Sequence, residues 1–198
     1  MNLNFRQLLQ HAINSVINPQ AEARWVMTRF DLPRAARWQV LILIVALSVI
    51  VAQLGLFVVP ISPNTPFATI LNSPVLSTLV QSAVLVILVF LIYFVGRAMG
   101  GTGGFGNTIL LVAWLQFVMA CLQALQTIAL ILSPPLAAVL GIIGFVIFFR
   151  VLTSFIAELH GFKSLVNVFL MVIVTMVGLT FGVSIILAMI GVSVPGAI

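Results

Sequence analysis

The sequence predicts an all-α integral membrane protein: five transmembrane helices behind an amphipathic, interfacial helical segment, with the N-terminus inside and the C-terminus outside. Three observations carry this. Of 198 residues, 63% are hydrophobic and only 6% charged, where soluble domains hold about 45–50% and about 25%. Continuous apolar runs recur at the ~20 residues a helix needs to cross ~30 Å of hydrocarbon. Basic and uncharged connections alternate between those runs, as orientation in a membrane requires.

Residues 1–37 form a basic N-terminal segment and residues 38–198 the transmembrane domain. In the first, Phe5, Leu8, Leu9, Ala12, Ile13, Val16 and Ile17 follow the spacing of one helical face, and Arg6, Gln7, Gln10, His11 and Asn14 occupy the other. Such a helix is suited to lie flat on a membrane surface, and its alternative resting place is the protein's own loops. Asn18-Pro19 gives a cap with proline at the first helical position, opening a second short helix through Arg29. Pro33 marks another break, and Trp38 sits where interfacial aromatics are favoured.

Five spans follow, at about residues 40–59, 74–95, 108–132, 135–157 and 165–190. Pro60, the Gly96-Arg97 pair and Ser133-Pro134-Pro135 punctuate them. Barrel strands are excluded because the runs do not alternate. Arg6, Arg24, Arg29, Arg34 and Arg37 precede the first span, Arg97 opens the second loop and Lys163 lies in the fourth, while the 61–73 loop, the Ser133 turn and the tail after Ile190 carry no charge. This pattern places the N-terminus in the cytoplasm and the C-terminus outside.

A pI near 11.3 reflects only eight basic against three acidic residues. That surplus is too scattered for a nucleic-acid stripe and suits anionic lipid headgroups. The lone Cys121 excludes an intrachain disulfide or a cysteine-cluster metal site. Gly101-Thr-Gly103-Gly104-Phe105-Gly106 matches GxGxxG in form, but a membrane span precedes it and no acid follows at the required distance. It reads as a tight connection, so no cofactor is expected.

Arg150 falls inside the fourth span, about 10 Å from its end. There it must snorkel and find a partner. An ion pair of Arg97 or Arg150 with Glu158 is the pairing considered. Glu158 and His160 point away from one another on a helix, too few and too divergent for a metal site. His160-Gly161 reads instead as a helix C-cap. No serine has a base and orienting acid, so no catalytic residue is assigned. Gln116 and Gln123 share a face of the third span, with Gln126 close by and Gln53 and Gln81 on the first two spans. Amides in such places usually bond between helices, and the alternative is a polar path for a solute. Gly178-xxx-Gly182 permits close helix contact, expected with another span of this chain, while a homo-oligomer stays open.

The segments Gly96-Arg97, Met99-Gly100-Gly101-Thr-Gly-Gly-Phe105 and Leu159-His160-Gly161-Phe162, each bordering a span, together with Asn18-Pro19-Gln-Ala-Glu-Ala-Arg24, resemble the Ypt-interacting-protein (Yip) domain family, and its short bacterial members in particular. The resemblance runs from about Asn18 to Met189. It implies five spans, a cytoplasmic N-terminus, a bacterial inner-membrane location and no catalytic residues. Eukaryotic members associate with Rab-type GTPases and take part in membrane traffic; the long cytoplasmic extension with acidic aromatic motifs seen in them is not found in this sequence, so GTPase binding is not carried over. The function expected is a non-enzymatic scaffold or adaptor acting on lipids and other membrane proteins. A small-solute or lipid transporter is the alternative.

Overall fold

The computed structural model describes residues 4–60, 62 and 68–189. Among them the chain is helical throughout: α1 (Phe5–Ile17), α2 (Pro19–Arg29), α3 (Arg34–Val58), α4 (Ala68–Leu71), α5 (Pro74–Ala98), α6 (Phe105–Leu132), α7 (Pro134–His160) and α8 (Leu165–Met189). Five of these, α3 and α5 to α8, are long and apolar enough to cross a membrane. Residues 61 and 63–67 of the 61–73 loop and the tail from Ile190 onward, on which the outside assignment rests in part, lie outside the described residues.

Proline and polar caps set the helix starts. Pro19, Pro74 and Pro134 each occupy the first turn, where a missing N–H costs nothing. Ser73 caps α5 by accepting from the Leu76 N–H. Asn4 and Gln7 form a reciprocal capping box on α1. α7 ends as expected, with Gly161 left-handed at φ 74 and its N–H bonded to the Ala157 carbonyl. α3 starts at Arg34, so the helix takes in the last residues of the expected N-terminal segment.

α6 is the central helix. More than half of its apolar stretch is buried within the chain, against under a quarter for each other span. It packs most extensively on α3 and then on α7, with α5 alongside, while α8 leans chiefly on α7. Val45, Val89, Ile109, Val112, Val118 and Val151 form the tightly enclosed core. The outward faces carry Leu43, Phe57, Phe94 and Val174, apolar groups stable there only against lipid.

α1 and α2 form a helical hairpin docked on α6 and α7. The predicted apolar face of α1 is divided. Ala12 is buried, and Leu8 and Val16 pack against the core, whereas Phe5, Ile13 and Ile17 stay exposed; Ser15, which was not assigned to that face, is buried too. The part that is covered rests on helices, not on loops. The reason is width: a neighbouring helix covers only part of an apolar stripe about 100° wide.

Candidate functional site

The residues singled out by the sequence gather mostly at the end of the bundle where the glycine loop meets the start of the 161–164 turn. His160, the last residue of α7, is 3% exposed. Its Nδ1 accepts from the Gly103 N–H at 3.2 Å, so its Nε2 carries the proton and donates to the Ile92 carbonyl at 3.0 Å. The backbone adds a stitch, with the Thr102 N–H donating to the His160 carbonyl at 3.3 Å. The imidazole thus joins α5, α7 and the loop between α5 and α6.

Three glycines make room for that ring. A methyl group on Gly96 would meet His160 Nε2 and lie 2.5 Å from Cε1; on Gly101 it would lie 2.6 Å from Cγ; on Gly103, 2.8 Å from Cε1 and from Leu159 Cγ. All three fall below the ~3.5–4.0 Å of ordinary carbon contacts. The first two glycines of the GxGxxG match therefore have a packing cause, a cage around a histidine that Gly96 completes, while Gly106 makes room for the Arg37 guanidinium. Gly104 meets nothing and serves as the N-cap of α6. Phe105 closes the corner by packing on Phe90 and Tyr93 with ring centres 5.5 and 5.2 Å apart.

The expected pairing of Arg97 or Arg150 with Glu158 is not what forms. Glu158 is held by Arg24 of α2, whose Nε and Nη2 reach its two oxygens at 2.8 and 3.2 Å. That hydrogen bond, and then the attraction of the charges, holds the Arg24 guanidinium above its ordinary pKa. Arg97 lies 5.9 Å over the Tyr93 ring, in cation–π range. Arg150 donates to the Val16 and Ile17 carbonyls at 2.6 and 3.0 Å, closing the C-terminus of α1, where cations are favoured. The physical reason is the hairpin. It brings the Arg24 cation to Glu158 and the C-terminus of α1 to Arg150, both on α7.

The hairpin has its own seam. Glu22, 8% exposed, sits 2.9 Å from His11 Nδ1, and His11 stacks on Trp25 with centroids 3.6 Å apart. Trp114 of α6 donates from Nε1 to Ser15 Oγ at 2.9 Å and packs on Trp25, Phe30 and Phe117. These partners were not singled out from the sequence. The signal available was Trp114 itself, a tryptophan well inside an apolar span and in need of an acceptor.

The five glutamines singled out by the sequence do not gather in one place, and only two of them meet. Gln81 and Gln116 both donate to Ser48 Oγ, at 3.0 and 3.1 Å, and Ser48 donates to the Val45 carbonyl. Gln126 reaches the Ala137 carbonyl and Gln53 the Leu71 carbonyl, while Gln123 joins neither group. Ser48 is 1% exposed and ties α3, α5 and α6 together. Ser48→Val is expected to cost about 1–3 kcal/mol, because two amides lose their acceptor in apolar surroundings. Thermal melting in detergent measures this, and a wild-type melting temperature would count against it.

Gly178 and Gly182 correct an expectation. A methyl on either would meet nothing within 4 Å, so this GxxxG face has no partner helix among the described residues. α8 is buried nearer its start, at Val168 and Val172.

No curated protein and no solved structure matches the chain. A family match does exist, over residues 13–188, to the Yip1 domain. It takes in the last turn of α1, the glycine cage, the histidine it encloses and all five long helices up to the last residues of α8. A match covering most of the chain, on a bundle of five membrane-length helices, places this protein in the Yip1 domain family.

Proposed function

We propose that this protein is a non-enzymatic scaffold or adaptor of the bacterial cytoplasmic (inner) membrane, with its N-terminus in the cytoplasm and its C-terminus outside. The α1–α2 hairpin is its working surface, turned toward anionic lipid and toward other membrane proteins. One observation carries the reading. Phe5, Ile13 and Ile17 remain 67%, 55% and 57% exposed on a hairpin whose opposite flank is anchored by Arg24, Arg150 and Trp114. An apolar edge held rigidly beside basic residues suits a lipid surface.

The tied imidazole supports the absence of catalysis, since a histidine with both nitrogens engaged by backbone is a poor proton shuttle. The Gln81–Ser48–Gln116 junction supports packing over a solute path.

A spin label tests the membrane contact in the full-length chain with Cys121→Ser. Placed at Ile13→Cys in proteoliposomes containing phosphatidylglycerol, it should collide mainly with oxygen. Placed at Gln7→Cys, an exposed polar position about 120° farther round α1, it should collide mainly with a water-soluble nickel reagent. Equal nickel access at the two sites would sink the reading.

A further inference from the structure

Between α7 and α8, beside the end of α1, lies an open groove of about 580 Å³, within the ~300–1,000 Å³ of small-molecule sites. Phe145, Phe149, Phe169 and Ile173 line its stretch toward the middle of the helices, and Arg150 and Thr153 stand at the other end. Three and four residues apart, Arg150, Thr153 and Ser154 share one face of α7.

Two of the Arg150 N–H groups serve α1, which leaves about three of the five on a guanidinium. No side-chain carboxylate answers its charge. The sequence holds three, and Glu22 lies on His11, Glu158 on Arg24 and Asp31 nearest Arg37. Thr153 is a second, independent pointer. It is 5% exposed, and its Oγ1 is buried with no hydrogen-bond partner among the described residues. Thr175 and Thr180 of α8 show the usual alternative, donating to the carbonyl one turn back at 2.8 and 2.9 Å. Thr153 does not, and lines the groove instead.

The hairpin fixes the level of this groove. The α1–α2 turn at Asn18 is exposed and adjoins the carbonyls that Arg150 holds. Hydrocarbon therefore starts no nearer the His160 end than Arg150. From there to Pro134 is about 24 Å of helix, ~6 Å short of a ~30 Å core; local thinning of the bilayer and snorkelling of Arg150 take up that mismatch, so the guanidinium reaches headgroup depth and the phenylalanines lie among the acyl chains.

We propose that this groove holds one anionic diacyl phospholipid. The spare Arg150 N–H groups and the Thr153 hydroxyl donate to its headgroup oxygens. Its chains run past Phe149 and Phe169 toward Phe145 and Ile173. This site rests on the membrane embedding of the bundle and not on the scaffold reading.

Native mass spectrometry of the full-length chain in mild detergent, titrated with palmitoyl-oleoyl phosphatidylglycerol or the phosphatidylcholine equivalent, tests it. One phosphatidylglycerol should be retained, favoured about fivefold over phosphatidylcholine by the single guanidinium. Arg150→Gln should abolish that preference. Val166→Trp, which fills the groove from the exposed side of α8 and leaves Arg150 in place, should deplete both adducts. Soluble glycerol phosphate should not compete. Equal retention of the two lipids would overturn the assignment, as would displacement by glycerol phosphate. Should Arg150→Gln fail to fold, judged by circular dichroism, Val166→Trp decides: an undiminished phosphatidylglycerol adduct in that variant also overturns it.

Discussion

Gly96→Ala is expected to destabilise the protein by about 2 kcal/mol or more, although alanine is the better helix former by about 1 kcal/mol. The two effects oppose each other, and geometry decides between them. The new methyl would overlap His160 Nε2 and stand 2.5 and 2.6 Å from its Cε1 and Cδ2. The ring has little room to retreat, because Gly101 and Gly103 approach it from other sides. Moving it breaks its bonds to the Ile92 carbonyl and the Gly103 N–H, each worth about 1 kcal/mol net. Overpacking adds ~1–3 kcal/mol. The decisive measurement is a double-mutant cycle. In a His160→Ala background the same substitution should become neutral or stabilising, since only the propensity gain survives. Equal losses with and without the imidazole would show that the cage is not the cause.

Trp114→Ala should have the largest effect of any single change, about 3–5 kcal/mol for loss of a buried aromatic. The damage should be local. Trp114 is 7% exposed beneath the hairpin, touches Trp25 and Phe30 and supplies the N–H to Ser15. Removing it opens the seam while the α3–α6 packing stays in place. Hydrogen exchange should therefore accelerate across α1 and α2 and change little in the middle of α6. Trp114→Phe, which keeps most of the apolar area and loses the donor, should cost nearer ~1 kcal/mol. A uniform loss of protection along the whole bundle would mean that the hairpin is not a separable layer.

The helices were legible from the sequence because their cause is local. A run of about 20 apolar residues and its bounding proline or glycine lie within one window, and so does the Gly161 cap. What α1 rests on was not legible. The spacing of Leu8, Ala12 and Val16 announces an apolar face but not whether lipid or protein covers it. Glu158 shows the limit most plainly. Its natural suitors by sequence are Arg97, at the end of the second span, and Arg150, about two turns back on the same helix, whereas its partner Arg24 lies 134 residues away. No periodicity encodes so distant a pairing. The glycine loop falls between these cases: its motif was visible, and its purpose needed the position of one histidine on another helix. Gly178 and Gly182 presented the reverse difficulty, a packing signal with no neighbour among the described residues.

The 134-residue interval between Arg24 and Glu158 also sets a schedule. Ribosomes add about 5–20 residues per second, so Arg24 is synthesised roughly 7–27 s before Glu158. Throughout that delay the flank bearing Leu8, Ala12 and Ala23 has no finished bundle to meet. Targeting factors and the nascent spans share the compartment with a sticky, basic leading end. Its docking is thus among the closing events of biogenesis, a latch that shuts only once the fourth span is in place.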